Sequence, residues 1–314
     1  MIELFTKASG ATASVQKIDM DNPKFHLGGW VIVENPTEAE EQLLSEYFDL
    51  KPGNLSDALD PHESPRLDHD AKHDYLYLRQ PHVNRDGAME TRPLLIIYSD
   101  KDFITVAPSG LGQLRDSLND NKGFATHSSK HTLFALVQLV LSQYETYIRG
   151  QSESIKRIID KMKANRLESE DFVRFVLVGE QINSFLNALE PTTLLFRRLA
   201  TTKFFALTSD DRDVVEDIIL SIEQSVHICH TNIDRITSVR EAYAALSNNS
   251  LNRTMKALTA ATLFIALPNV VFGMYGMNIN LPIQHEAWAF VVIISTTLVA
   301  VLAIILLAKR KRWF

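Results

Sequence analysis

Two uncharged apolar runs close to the C-terminus limit what this chain can fold into. Residues 257–284 contain no Lys, Arg, Asp or Glu, and neither do residues 287–308. A helix that crosses a bilayer needs roughly 20 predominantly apolar residues, so each run is long enough to span once. The loop between them is short and has no Lys or Arg. Arg253 and Lys256 precede the first run, and Lys309-Arg310-Lys311-Arg312 follow the second. That bias predicts both termini on the cytoplasmic side of the cell (inner) membrane and the loop outside. Tyr275 and Trp288 at the outer boundary, and Trp313 at the inner one, suit interfacial aromatics.

The charge balance of the remainder narrows the partners. Only four basic residues and one acidic residue, Glu286, follow Lys256, so 28 basic and 37 acidic side chains precede it. An acidic soluble part argues against nucleic acid, which needs a basic surface, and suits cations. The single cysteine, Cys229, excludes an internal disulfide and fits a reducing compartment. The first residues lack the apolar stretch of a signal peptide, so the soluble part is expected to stay in the cytoplasm. No catalytic triad, Walker loop or GxGxxG is recognisable, which argues against an enzyme, an ATP-driven pump and an organic cofactor.

The pattern then divides the chain. Residues 1–127 alternate strand-like and helical pieces: strands at 30–33, 75–78, 94–98 and 103–106, a helix at 37–49, and a hairpin turn at Asp100-Lys101-Asp102. This predicts a cytoplasmic α/β lobe. From 128 to 250 the pattern is helical, with amphipathic stretches at about 130–163 and 169–199, the second interrupted near Pro191. Thr208-Ser209-Asp210-Asp211 is a good helix start, with cap residues followed by acids in the first turn. Val215, Ile218, Ile222, Val226, Cys229, Ile233 and Ile236 then recur at spacings of three and four. One helix from about 209 to 273 would be on the order of 100 Å long. That reads as a stalk continuous with the first span. The pore or anchor region is 251–314, with spans at about 256–275 and 287–308. The fold class is therefore an α+β membrane protein.

Two spans cannot enclose a hydrophilic path alone, so a conducting protein would need several copies around an axis. Stepping back from the loop by helical spacing gives Gly273, Asn269, Ala266, Thr262, Leu258 or Thr259, Met255 and Asn252, a line of small, polar and gating-type residues. Leu263, Phe264, Leu267, Val270 and Val271 lie elsewhere on the helix. Small and hydroxyl residues also suit close helix packing, and spacing alone does not separate the two readings.

Tyr275-Gly276-Met277-Asn278, placed after the first of two C-terminal spans, resembles the CorA family of magnesium channels. The 247–259 segment running on to Asn278 is similar to that family's stalk-to-pore helix. Asp60-Pro61-His62-Glu63-Ser64-Pro65-Arg66-Leu67 with Asp74-Tyr75-Leu76-Tyr77-Leu78 is similar to its N-terminal lobe, and 211–225 to its stalk start. The resemblance implies a funnel-shaped homopentamer in the bilayer that admits Mg²⁺, with Co²⁺ and Ni²⁺ as further candidates. It implies a selectivity filter at Gly276, Met277 and Asn278, and apolar constrictions at Met255 and Leu258. A bare Mg²⁺ would need carboxylates, but Mg²⁺ sheds water reluctantly, and a ring of neutral Asn278 oxygens could hold the hydrated ion. Gly276 would let the backbone turn without a Cβ. Met277, a soft thioether, suits packing better than Mg²⁺ ligation.

Two departures from the family stand out. Ala266 replaces a bulkier Met found in many members. Leu281-Pro282-Ile283-Gln284-His285-Glu286 stands where many have Pro-Glu soon after the motif. The resemblance further aligns Asp217 with a stalk aspartate that binds regulatory Mg²⁺ between neighbouring subunits, and counting along the strand from Tyr75 points to Asp86 as its partner. The plainer reading makes Asp217 a solvated helix residue and Asp86 a turn residue in Asn84-Arg85-Asp86-Gly87.

His69 and His73 could ligate zinc if helical, but Pro61 and Pro65 favour a solvated loop for 60–74. His227 and His230 share a helix face that Cys229 does not, as surface and core residues would. Zinc transport by related two-span proteins, and a membrane-anchored metal sensor or scaffold, are the competing functions.

Overall fold

The protein is described by a computed structural model, which covers residues 1–8, 13–19, 23–25, 29–84, 87, 89–120, 124–126, 128–164, 166–201, 207–277, 286 and 288–310. Contacts divide the chain into two compact units, Met1–Thr237 and Ser238–Phe314.

The first unit is built on one seven-stranded sheet. Its strands are β1 (Ile2–Thr6), β2 (Ser14–Lys17), β3 (Trp30–Glu34), β4 (Arg66–His69), β5 (Asp74–Val83), β6 (Met89–Tyr98) and β7 (Phe103–Ala107). They lie in the order β2-β1-β3-β7-β6-β5-β4. β3 and β7 pair in parallel, Trp30 opposite Phe103, while the other described pairings are antiparallel. The ten-residue β5 and β6 form the central hairpin, turned at Gly87, whose φ of 78° is costly for a residue with a Cβ. β7 returns after a tight turn in which the amide of Asp102 donates to Ser99 Oγ at 2.9 Å.

Burial along β3, β6 and β7 is nearly continuous, the signature of a sheet covered on both faces. On one face Val31, Val33, Tyr77, Leu95 and Ile104 pack with Leu44 of α1 (Glu38–Phe48) and Leu55 of α2 (Pro52–Asp57). Helix α1 starts at a capping box: Thr37 Oγ1 accepts from the amide of Glu40, whose carboxylate accepts from the amide of Thr37 at 2.8 Å. It stops where Asp49 takes a left-handed φ of 57°.

The other face carries α3 (Leu111–Asp120), α4 (Ser129–Lys163) and α5 (Ser169–Thr201). Fully buried Trp30 lies edge-on to Phe5 and Phe103, and its indole donates to Thr105 Oγ1 at 2.9 Å. Tyr144 of α4 packs edge-to-face on Phe185 of α5 and donates its hydroxyl to the carbonyl of Arg79 at 3.0 Å.

Helix α6 (Ser209–Tyr275) begins in this unit. Its buried stripe is Val215, Ile218, Ile222, Cys229 and Ile236. Polar links flank that stripe: Lys130 to Asp211, Ser221 to Glu145, Asn232 to Ser152 and Arg197 to Glu223. An exposed pair such as Arg197 and Glu223 contributes about 0–1 kcal/mol and a hydrogen bond such as Asn232 to Ser152 about 1 kcal/mol, so the apolar stripe does most of the anchoring.

Three expectations change. Helix α5 runs through Pro191 without a break. The proline removes one backbone donor, yet Ile182, Phe185, Leu189, Phe196 and Leu199 on both sides of it are buried, and that packing holds the helix together. The Thr192 and Thr193 hydroxyls bond back to the carbonyls of Ala188 and Leu189. The 60–74 segment is not a loop throughout: residues 66–69 form β4, pairing with 74–77 of β5. Strands β1 and β2, missed by the pattern, extend the sheet beyond β3.

The Trp30 to Thr105 contact sets up a stability test. Trp30→Phe leaves a small cavity and an unpaired hydroxyl, and should cost about 2–4 kcal/mol. Chemical denaturation of the full chain in detergent measures it; a loss below about 1 kcal/mol, the range of an ordinary surface change, would show that the indole is not a keystone.

Candidate functional site

Two helices among the described residues are long and apolar enough to cross a membrane: α6, and residues 289–306 of α7 (Ala289–Arg310). Only 6% and 11% of their apolar windows are buried. The core helix of a soluble protein would be mostly buried, so these surfaces are built for lipid or for protein outside the chain. In its apolar part, from 257 to 275, α6 presents Ala260 as buried and Phe264, Leu267, Pro268 and Val271 as half-buried, and every other residue there is exposed. On α7 the buried positions are Ala289 and Thr297. A cleft of about 370 Å³ is lined by Leu267, Val271 and Tyr275 of α6 and by Val292, Ile293 and Thr296 of α7. Small residues on α7, Ala289, Thr297 and Ala300, share one helical face; that spacing was readable in the sequence and was passed over.

Asn252, Met255, Leu258, Thr262, Ala266, Asn269 and Gly273 are all exposed within the chain. At 3.6 residues per turn they lie on the side of α6 opposite Ala260, Phe264, Leu267 and Val271. Packing against α7 is therefore not what this line of small and polar residues does. The Thr262 hydroxyl donates to the carbonyl of Leu258 at 3.0 Å, and Thr259 to Met255 at 2.9 Å, so their polar groups are satisfied locally. Asn269 makes no side-chain hydrogen bond among the described residues. The line carries no charge. Its chemistry is neutral oxygen, amide nitrogen and apolar bulk at Met255 and Leu258.

At the end of α6 the amide of Gly276 donates to Phe272 at 3.0 Å and that of Met277 to Met274 at 3.3 Å. Gly276 does not use a left-handed backbone. A Cβ there would meet the carbonyl oxygen of Phe272 at 3.4 Å, so close approach rather than φ is what glycine eases. Met277 is exposed. Asn278 lies outside the described residues, as do Asp86, Lys311, Arg312 and Trp313.

The other sequence candidates separate. Asp217 is exposed on α6 between the buried Val215 and Ile218, with the exposed apolar Leu220 close by on the helix. His69 is committed to Asp74, its Nδ1 2.6 Å from a carboxylate oxygen, and sits in a strand rather than a helix. Burial raises the Asp74 carboxyl above its ordinary value against the pull of His69. His73 is buried near Asp70 and Asp102. Its Nε2 lies 3.7 Å from Asp102, and that pairing leads the causes that hold the Asp102 carboxyl below the usual range. His230 Nε2 lies 2.9 Å from Glu190. Burial pushes the Cys229 thiol up to about 12, which keeps it protonated and unfit as a metal thiolate. Among the described residues no group of three or more His, Cys, Asp and Glu could hold a metal ion.

Known proteins agree with this architecture. The cobalt/magnesium transport protein CorA of Methanocaldococcus jannaschii is 22% identical over 297 residues, covering 90% of each chain. The complete structure of the CorA magnesium transporter from the same organism superposes with a TM-score of 0.85 at 20% identity, covering 100% of this chain and 99% of that one. The full-length CmaX protein gives a TM-score of 0.79 at 17% identity, covering 99% and 97%. At these identities the structures speak for the fold: a soluble α/β part, a long helix and two membrane-type helices. A model of the family described as "CorA-like Mg2+ transporter protein" matches residues 29–311, nine-tenths of the chain, and the protein is a member of that family.

Proposed function

We propose that this protein is a divalent-cation channel that admits Mg²⁺ through a homopentamer of the α6 faces. The observation that carries the reading is the uncharged line from Asn252 to Gly273, exposed on the side of α6 turned from α7 and leading into Gly276-Met277-Asn278. Lipid satisfies the Asn252 and Asn269 amides poorly, whereas a water-filled axis between copies satisfies them well. The functional division is a cytoplasmic lobe at 1–127, a stalk at 128–250 and a pore region at 251–314, with both termini in the cytoplasm.

In this mechanism a ring of Asn278 amides holds the hydrated ion through its water shell, because Mg²⁺ keeps its waters where no carboxylate replaces them. Gly276 and Met277 shape that mouth. The membrane potential drives the ion inward with about 2.3 kcal/mol per charge per 100 mV. Met255 and Leu258 form apolar rings that close the path by excluding water. Ala266 leaves the middle of the path wide. Asp217 and Asp86 of adjacent copies bind cytoplasmic Mg²⁺ and hold the closed state, and loss of the ion leaves like charges facing one another.

Reconstituted protein in liposomes loaded with a magnesium-sensitive dye tests the reading, with Zn²⁺ in a parallel arm. Mg²⁺ influx driven by an inside-negative potential is expected; Zn²⁺ flux without Mg²⁺ flux would assign the protein to zinc transport, and no flux of either would favour a sensor or scaffold.

Asn278→Ala removes a ring of hydrogen bonds worth about 1 kcal/mol each and should slow Mg²⁺ influx at least about tenfold while the oligomer persists on size exclusion. Normal influx would remove Asn278 from the filter. Asp217→Ala should raise severalfold the internal Mg²⁺ concentration that closes the channel; an unchanged inhibition curve would make Asp217 a plain surface residue. Ala266→Met should narrow the path and reduce flux without changing ion preference, whereas Ala261→Met, on a different face, should not. Equal effects at the two positions would mean that α6 is rotated from the assigned register.

A further inference from the structure

A cavity of about 440 Å³ lies in the soluble unit between the 61–64 turn, β5, β6 and α5. That volume is typical of small-ligand sites. Arg79 is the only Arg or Lys among its described lining residues. The guanidinium donates from Nε to Thr91 Oγ1 at 2.8 Å, from Nη1 to the carbonyl of Glu63 at 2.7 Å, and from Nη2 to the carbonyl of Thr91 at 2.6 Å. All three acceptors are neutral. A guanidinium has five N–H donors, so one remains on each terminal nitrogen.

The natural counter-charge has gone elsewhere. The carboxylate of Glu63 pairs with Arg66, which also holds Asp57 at 2.8 Å. Among the described residues no carboxylate comes within the 4.0 Å of an ion pair with Arg79; Asp60, Glu63 and Glu90 act on it only from longer range. Arg79 is half-buried, and burial holds its guanidinium below the ordinary value. A partly desolvated cation with neutral partners alone gains most from an added anion. Two free N–H groups on a planar fork match a carboxylate or phosphate edge.

The rest of the lining fits such a head group. Ser184 Oγ lies 3.4 Å from Thr91 Oγ1, and Asn183 and Asn187 line the cavity from exposed positions of α5. These groups can donate to the remaining oxygens and to a polar body. Glu180, also in the lining, disfavours a highly charged ligand and so selects a compact one. We propose that this cavity binds a small oxyanion, a phosphate or carboxylate group, with Arg79 as its anchor. The proposal does not depend on the transport reading.

The test uses the full chain in detergent, in magnesium-free buffer held at constant ionic strength with chloride. Inorganic phosphate and, separately, lactate are titrated by calorimetry, and the thermal midpoint is followed in parallel. Saturable binding of at least one, with a rise in midpoint, is expected, and the arm that binds names the head group. Ser184→Asp places a carboxylate beside Thr91, within reach of Arg79. It should raise the midpoint without ligand and weaken anion binding at least about tenfold, whereas Ser184→Asn should keep it. If Ser184→Asp does not fold, Asn187→Asp supplies the same charge from an exposed position and should weaken binding likewise. Absence of saturable binding for both anions, or equal affinity in wild type and the folded acidic variant, overturns the site.

Discussion

A bilayer interior offers no hydrogen-bond partners, and that constraint bears on what the apolar part of a membrane-type helix such as α6 can be. The helix closes its own backbone, and Thr259 and Thr262 close their hydroxyls on carbonyls one turn back. Asn269 has no such local acceptor among the described residues, yet it stands in the same exposed line as Thr262, Ala266 and Gly273. The side turned toward α7 is instead an apolar one, where Leu267 and Val271 line a cleft shared with Thr297 and Ala300. A helix that turns Leu267 and Val271 toward its own hairpin partner and leaves Thr262, Ala266 and Asn269 outward has reversed the arrangement expected of a simple two-helix anchor. The reversal makes sense where the polar side meets water.

In the soluble unit the corresponding constraint is a sheet that must be dry on both faces. The α1 and α2 pair covers one and α4 with α5 the other, so β3, β7 and the 93–98 part of β6 are almost entirely buried. The largest polar side chains inside that sandwich are tolerated because they have specified partners: the indole of Trp30 with Thr105, the Tyr144 hydroxyl with the backbone of Arg79. Two arginines on neighbouring strands illustrate how differently one charge can be treated. Arg66 takes two carboxylates and lies over the ring of Tyr77 at 3.8 Å, while Arg79 receives only carbonyls and a hydroxyl. The first is a closed arrangement and the second an open one.

Local signals carried much of this. The apolar spacing of Leu43, Leu44 and Phe48 after Pro36-Thr37, the acids after Thr208 and the turn between β6 and β7 are decided by neighbouring residues, so α1, α6 and the β6–β7 hairpin were legible. Where tertiary packing outweighed a local signal the reading failed. Pro191 should break α5, but buried residues on both sides of it outweigh a cost of about 3 kcal/mol. Pro61 and Pro65 suggested a loop, and β4 formed because β5 offered a free edge. β1, short and held between β2 and β3, has no pattern strong enough to announce itself.

For the proposed ion path, the sequence by itself determined that two uncharged runs exist, that one helix leads into Gly276-Met277-Asn278, and that Asn252 through Gly273 share a side. Helical periodicity is a local property, so those residues must align whatever surrounds them. Only the tertiary structure decided which side of α6 meets α7, because that depends on how Ala289, Thr297 and Ala300 let the second helix approach. It alone brought Arg79 of β5, the 61–64 turn and Ser184 of α5 around one cavity, since residues more than a hundred positions apart meet only through the packing of a helix on a sheet.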